Sequence, residues 1–171
     1  FITGDYKIDH TPVGDEKTDL ARMAEIGKKG VLLMLADSTN IEREGYTMSE
    51  STVGETFDQL FAANSERRII VSTFSSNINR LQQIIDVSRK YNRKVAFSGK
   101  SMLKVLDTAT KLGELKYERG RIIDIDKISS VADKEITIIS TGSQGEAMSV
   151  LTRMALGSFN KVNIGENDTI I

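Results

Sequence analysis

The chain has 171 residues and 18.9 kDa, room for one domain or for one domain with part of another. With 39% hydrophobic and 27% charged residues it carries enough apolar material for a core, which excludes a disordered tail. Its 23 basic and 24 acidic residues leave a formal charge of −1, so no bulk positive charge holds nucleic acid and any such binding must be local.

Phe1–Lys7 is short and partly apolar, and Pro12 and Gly14 mark a loop. Asp19 is placed to cap a helix over Leu20–Ile26, with Leu20, Met23 and Ile26 on one face and Gly27 at its end. Val31–Ala36 is an uninterrupted apolar run, far below the ~20 residues of a membrane span, and it predicts a fully buried strand. After a polar connection over Ile41–Met48, Ser49 begins a helix in which Val53, Phe57, Leu60 and Phe61 recur at helical spacing. Arg68–Phe74 predicts a strand and Asn77–Tyr91 a long amphipathic helix with Ile78, Leu81 and Ile85 inward. Lys94–Phe97 predicts a strand and Ser101–Leu112 a helix. Gly113–Gly120 is a loop, and Arg121–Ile125 and the β-branched Ile136–Thr141 are strands. Glu146–Ala155 is a helix, and Val162–Ile164 and Thr169–Ile171 are weak strands. Strands alternating with helices predict an α/β fold with a parallel sheet covered on both faces. There is no internal repeat. A start on Phe1, with no secretory leader, and an end on an apolar run read as a piece of something longer.

In an open parallel sheet, ligands sit outside the carboxyl ends of the strands. Four such junctions share a chemistry. Strand 31–36 ends in Asp37-Ser38-Thr39-Asn40, and strand 68–74 runs into Ser75-Ser76-Asn77 with Arg80 one turn on. Strand 94–97 gives Ser98-Gly99-Lys100-Ser101, and strand 136–139 gives Ser140-Thr141-Gly142-Ser143-Gln144-Gly145-Glu146. Hydroxyl and glycine residues before a helix leave backbone N–H groups free for an anion, and Arg80 and Lys100 add charge. For any one loop the ordinary reading is a helix cap or a turn. Several on one sheet edge would make a phosphate site. No Walker or dinucleotide fingerprint is present.

The absence of cysteine excludes disulfides and thiolate zinc sites and is compatible with a cytoplasmic location. The single histidine, His10, excludes a multi-histidine metal site built from this chain alone and reads as a surface or packing residue. Asp5 and Asp37 each follow an apolar run, where a carboxylate either holds metal or closes a turn. Glu42, Glu44, Glu50 and Glu55 read as a solvated face, and Glu146 as the opening of a helix. Arg67 and Arg68 read as a solvated charge cluster, and Met102, Met148 and Met154 as core filler.

Four blocks taken together, Thr3-Gly4-Asp5-Tyr6-Lys7-Ile8-Asp9, Ala36-Asp37-Ser38-Thr39-Asn40, Ser72-Thr73-Phe74-Ser75-Ser76-Asn77-Ile78-Asn79-Arg80 and Thr141-Gly142-Ser143-Gln144-Gly145-Glu146, resemble the ribonuclease J family. This is the bacterial and archaeal branch of the β-CASP metallo-β-lactamase nucleases, and the likeness covers essentially the whole chain. It implies a Rossmann-like three-layer β-CASP domain over Gly45–Ile171 and, over residues 1–44, the C-terminal part of the metallo-β-lactamase half. It also implies a cytoplasmic ribonuclease that degrades RNA 5′→3′ and cuts internally, in RNA processing and decay, with two zinc ions activating water. By the same likeness Asp5 is a metal ligand and Asp37 belongs to the catalytic cluster, while the loops at Ser75–Arg80 and Thr141–Glu146 face single-stranded RNA. The implied assembly is a homo- or hetero-oligomer of such subunits, away from membranes. Departures limit this. The family's H-x-H-x-D-H, Ser-Gly-His and Pro-x-His-Gly-Glu blocks are absent, so the segment is expected to clamp RNA without cleaving it alone. Asn79 stands where many members carry His, as in less active paralogues. The competing readings are a stand-alone α/β module for a nucleotide or phosphorylated metabolite, and a scaffold subunit.

Overall fold

A computed structural model describes every residue except Asp15 and Glu16, and its chain divides into two units, Phe1–Val53 and Gly54–Ile171. The division falls inside α2 (Glu50–Ala63), which buries Phe57 and Phe61.

In the second unit, short runs of isoleucine and valine separated by amphipathic helices build a sheet that is parallel throughout. The strands are β1 (Arg68–Ser72), β2 (Lys94–Phe97), β3 (Ile122–Ile123), β4 (Ile136–Ser140) and β5 (Asp168–Ile170), in the order β3-β2-β4-β1-β5. Connecting them are α3 (Ile78–Lys90), α4 (Lys100–Leu112) and α5 (Val150–Ala155). All five positions of β4 are buried, as expected of a central strand with both faces covered. Alternation along the strands sends Ile70, Ala96, Ile136 and Ile138 into one core cluster with Ile125, Ile128, Val150, Met154, Phe159 and Val162. The opposite parity meets α3, where Ser88 Oγ bonds Thr137 Oγ1 across 3.1 Å. The α/β prediction with helices on both faces therefore holds.

Two arginines fasten the sheet. Arg93 is fully buried and donates to four backbone carbonyls, those of Asn64, Ser65, Arg67 and Ile136, at 2.8–3.1 Å. Arg68 is not solvated as predicted: its Nε and one terminal nitrogen each lie 2.6 Å from a carboxylate oxygen of Asp168, whose side chain is almost wholly covered, joining β1 to β5.

The first unit has α1 (Leu20–Lys28), capped by Asp19 Oδ1, which accepts the Arg22 N–H at 2.8 Å; none of its residues is buried. Here one expectation fails. Val31–Ala36 forms no buried strand: Leu32 is fully exposed, Leu33, Met34 and Leu35 are more than half exposed, and the ladder shrinks to a single parallel bridge between Ile2 and Leu35. An apolar run reads as buried only if something covers it, and no buried hydrophobic residue of this unit lies among those described.

Smaller differences have local causes. The helix expected from Glu146 begins only at Val150, because two successive turns, Gly145 N–H to Gly142 O and Ser149 N–H to Glu146 O, consume the intervening residues, and Ser149 Oγ caps the helix. Met148 is thereby 85% exposed, whereas Met102 and Met154 are core residues as expected. Val162–Ile164 is no strand; Val162 instead fills the core cluster beside Phe159. Two 3-10 turns over Ile125–Ser130 and Asp133–Glu135 lead into β4, the first burying Ile125 and Ile128.

Candidate nucleic-acid interface

The three strands that end in hydroxyl- and glycine-rich loops are the central neighbours β2, β4 and β1. Pairing of Ser72 with Ser140 and of Phe97 with Ile139 brings their carboxyl ends level. The ladder runs one residue further on each side, through Thr73 N–H to Ser140 O at 3.0 Å and Ser98 N–H to Ile139 O at 2.8 Å. The loops 73–77, 98–100 and 141–146 thus leave a single edge of one sheet, the arrangement that favours an anion site over three independent turns.

Within that edge the predicted residues divide by what already occupies them. Asn77 caps α3: its Oδ1 accepts the Arg80 N–H at 3.0 Å. Gly99, the residue before α4, offers no side chain to that helix's first N–H groups, and Lys100 stands exposed beside it. Ser76, Ser143, Gln144, Gly145 and Glu146 are exposed, Ser75, Arg80 and Thr141 half-buried, and Ser98 and Gly142 buried. The carboxylate of Glu146 accepts the Gln144 N–H at 3.2 Å.

The glycines serve packing more than ligand approach. At Gly142 (φ 122°) a Cβ would meet Ser149 Oγ at 2.5 Å, and at Gly99 (φ 103°) it would meet Val150 Cγ2 at 2.9 Å. Both let the first turn of α5 press onto the ends of β2 and β4. Gly145 (φ 73°) faces open space. Sequence reasoning passed over Ser72 and Thr73 as ordinary strand residues. Yet the hydroxyls of Ser72, Thr73, Ser98 and Ser140 are all buried without a hydrogen-bond partner.

In the first unit, Thr3 N–H to Leu35 O (3.0 Å) and Leu35 N–H to Phe1 O (2.9 Å) align the segments that carry Asp5 and Asp37. The Asp37 N–H donates to Thr3 Oγ1 at 3.1 Å, and its Oδ1 accepts Thr39 Oγ1 at 2.7 Å and Thr39 N–H at 3.0 Å. The Thr39 hydroxyl, its N–H and the Tyr6 N–H hold the Asp37 carboxyl below the usual carboxylate range. Asp37 lines a cleft of about 380 Å³ with Tyr6, Ile8 and Ser38–Ile41, whereas Asp5, one residue before Tyr6 in the chain, is exposed and is not among its lining residues. His10 is exposed. Among the described residues no group of three or more His, Cys, Asp or Glu side chains could hold a metal ion, so the residues present do not by themselves fit a zinc centre. Nor is any helix among them long and apolar enough to cross a membrane.

Comparison with known proteins bears on the same region. Residues 66–171 match the family model described as ribonuclease J, beta-CASP domain. Over 169 residues the chain is 49% identical to the ribonuclease J of Helicobacter pylori, covering 99% of this chain and 24% of that protein. It is 43% identical over 170 residues to ribonuclease J2 of Bacillus subtilis and 42% over 169 residues to the ribonuclease J of Thermus thermophilus, covering 99% of this chain and 30% and 29% of those proteins. The chain therefore spans less than a third of the length of these curated relatives.

Proposed function

Because this chain belongs to the ribonuclease J family, we propose that it is the RNA-clamping part of a ribonuclease, gripping single-stranded RNA along the carboxyl edge of its central strands. One observation carries this reading: the three loops richest in hydroxyl, glycine and basic residues leave adjacent strands β2, β4 and β1 at one edge. Exposed Lys100, half-buried Arg80 and the uncapped start of α4 are suited to phosphates, while Ser75, Ser76, Thr141, Ser143 and Gln144 supply neutral donors. With a formal charge of −1 the grip is local and modest. Asp5 and Asp37 are the carboxylates this chain would contribute to a zinc centre that residues outside it complete; cleavage is assigned to that longer protein.

Fluorescence anisotropy of the whole chain with single-stranded RNAs of increasing length, at two salt concentrations and with a mononucleotide competitor, tests the reading. Affinity is expected to rise with RNA length and fall with salt, and Lys100→Ala to lower the salt slope by about one phosphate contact. Tight mononucleotide binding indifferent to RNA length would replace the clamp with a closed phosphate pocket. Absence of RNA binding at low salt would remove it.

A further inference from the structure

The three serines that end the central strands form a row. In a parallel sheet, residues in register point to the same face, and the register sets Ser72 beside Ser140 and Ser98 one step beyond the Phe97–Ile139 pair. Their parity is that of Ile70, Ile138 and Ala96, so all three side chains stand on the face packed against α5, roughly 4.8 Å apart from strand to strand. Ser98 and Ser140 are fully buried, and none of the three Oγ atoms has a hydrogen-bond partner. A buried hydroxyl whose hydrogen bond is left unmade costs about 1–3 kcal/mol, and three aligned at one edge call for a common explanation. The row ends at Ser98, immediately before the uncapped first turn of α4, whose N–H groups and dipole favour an anion. Above it lies the start of α5, seated on Gly99 and Gly142, with the exposed segment Ser143–Met148 leading into it.

We propose that Ser72, Ser98 and Ser140 form a phosphate-oxygen subsite within the RNA clamp, reached when the first turn of α5, held by the Leu151 N–H to Thr141 O bond, lifts together with the Ser143–Met148 segment before it and lets one phosphodiester of the bound strand meet the row. This rests on the RNA-clamping reading and deepens it, since neither Ser72 nor Ser140 belongs to the loops already assigned to RNA. The hydroxyls donate to the anionic oxygens and the α4 N-terminus balances their charge.

The test pairs binding with stability in the whole chain. Because the hydroxyls are unpartnered without ligand, Ser98→Ala and Ser140→Ala are expected to leave the melting temperature unchanged or raise it. Each is expected to weaken single-stranded RNA binding roughly ten-fold, the loss of one hydrogen bond to a charged group. A fall in melting temperature in both variants means that the row is already completed by water as part of the fold, and overturns the subsite. RNA affinity equal to wild type overturns it as well, while wild-type binding that persists keeps the clamp itself standing; only a wild-type chain blind to RNA removes both. Inorganic phosphate separates the sources. If it stabilises the wild type and not the variants while all three bind RNA equally, the row belongs to the free ion and the RNA assignment falls.

Discussion

Asp9 lies four residues beyond Asp5, yet its carboxylate serves α2: Oδ2 accepts the Glu50 N–H at 2.9 Å and Oδ1 the Thr11 N–H at 3.0 Å. The Glu50 N–H first, then the Ser49 hydroxyl, the Thr11 N–H and Lys7, hold its pKa below the usual value. A carboxyl whose folded pKa is lowered adds stability that is present above its unfolded pKa, about 3.9, and is lost as pH falls through the folded value. Protection of the Glu50 amide, taken relative to its intrinsic exchange rate at each pH, is therefore expected to fall below about pH 4. In Asp9→Ala that protection should be low and independent of this ionisation. Arg93 makes the opposite case, a buried cation whose N–H groups are accepted by carbonyls. Its replacement by Met removes that donor from the carbonyls of Ser65, Arg67 and Ile136, while Asn64 O keeps the Arg67 N–H at 3.1 Å. A loss of about 3–5 kcal/mol is expected in urea titrations, with only part recovered by Lys, whose single ammonium cannot fork between two carbonyl pairs.

At the level of elements, β5 shows how a three-residue edge strand persists. It pairs with β1 over Arg68–Ile70, and the Arg68–Asp168 pair crosses that seam with the carboxylate almost wholly buried. Asp168→Ala leaves Arg68 with the exposed Asp133 at 3.6 Å and the Asn163 carbonyl at 2.8 Å, so the loss of its charge-assisted hydrogen bonds to Asp168 is expected to cost about 2–3 kcal/mol. Exchange should rise first at the Ser72 and Ile171 amides, which bond across the β1–β5 edge; equal acceleration in β2 and β4 would mean that the pair supports the whole sheet. The same pair marks where sequence reading stops. The strands β1, β2 and β4 and helices α2 to α4 were legible because apolar period and capping residues are local: Lys94–Phe97 is observed as predicted, and Asn77 caps α3. Arg68 read as solvated because its partner is 100 residues away, and a single sequence carries no register. Ser98 and Ser140 were visible by composition at two strand ends, as were the loops at 75–77, 98–100 and 141–146; their alignment with Ser72 in one row was not, because it depends on the same register and strand order. At α5 two turns competed with helix propensity and displaced the start from Glu146 to Val150.

Across the whole molecule, apolar burial is divided very unevenly. Every buried hydrophobic residue among those described lies at or after Phe57, while Ile2, Leu32, Leu33, Met34, Leu35, Ile41 and Tyr46 are all more than half exposed. Because hydrophobic stabilisation scales with area removed from water, at roughly 25 cal/mol per Å², the second unit carries the cooperative stability. Limited proteolysis is accordingly expected to cut within residues 1–49 while leaving a resistant product that contains the five-stranded sheet. The apolar run gives a sharper discriminator. Leu32 contributes no burial as the chain stands, so Leu32→Lys should change its unfolding free energy by less than about 0.5 kcal/mol and reduce dye binding and self-association. The cost of that substitution becomes large only where something covers the run. A cost of about 2 kcal/mol or more in the present chain would mean that residues 31–36 are already packed in solution, and that its first unit has a core of its own.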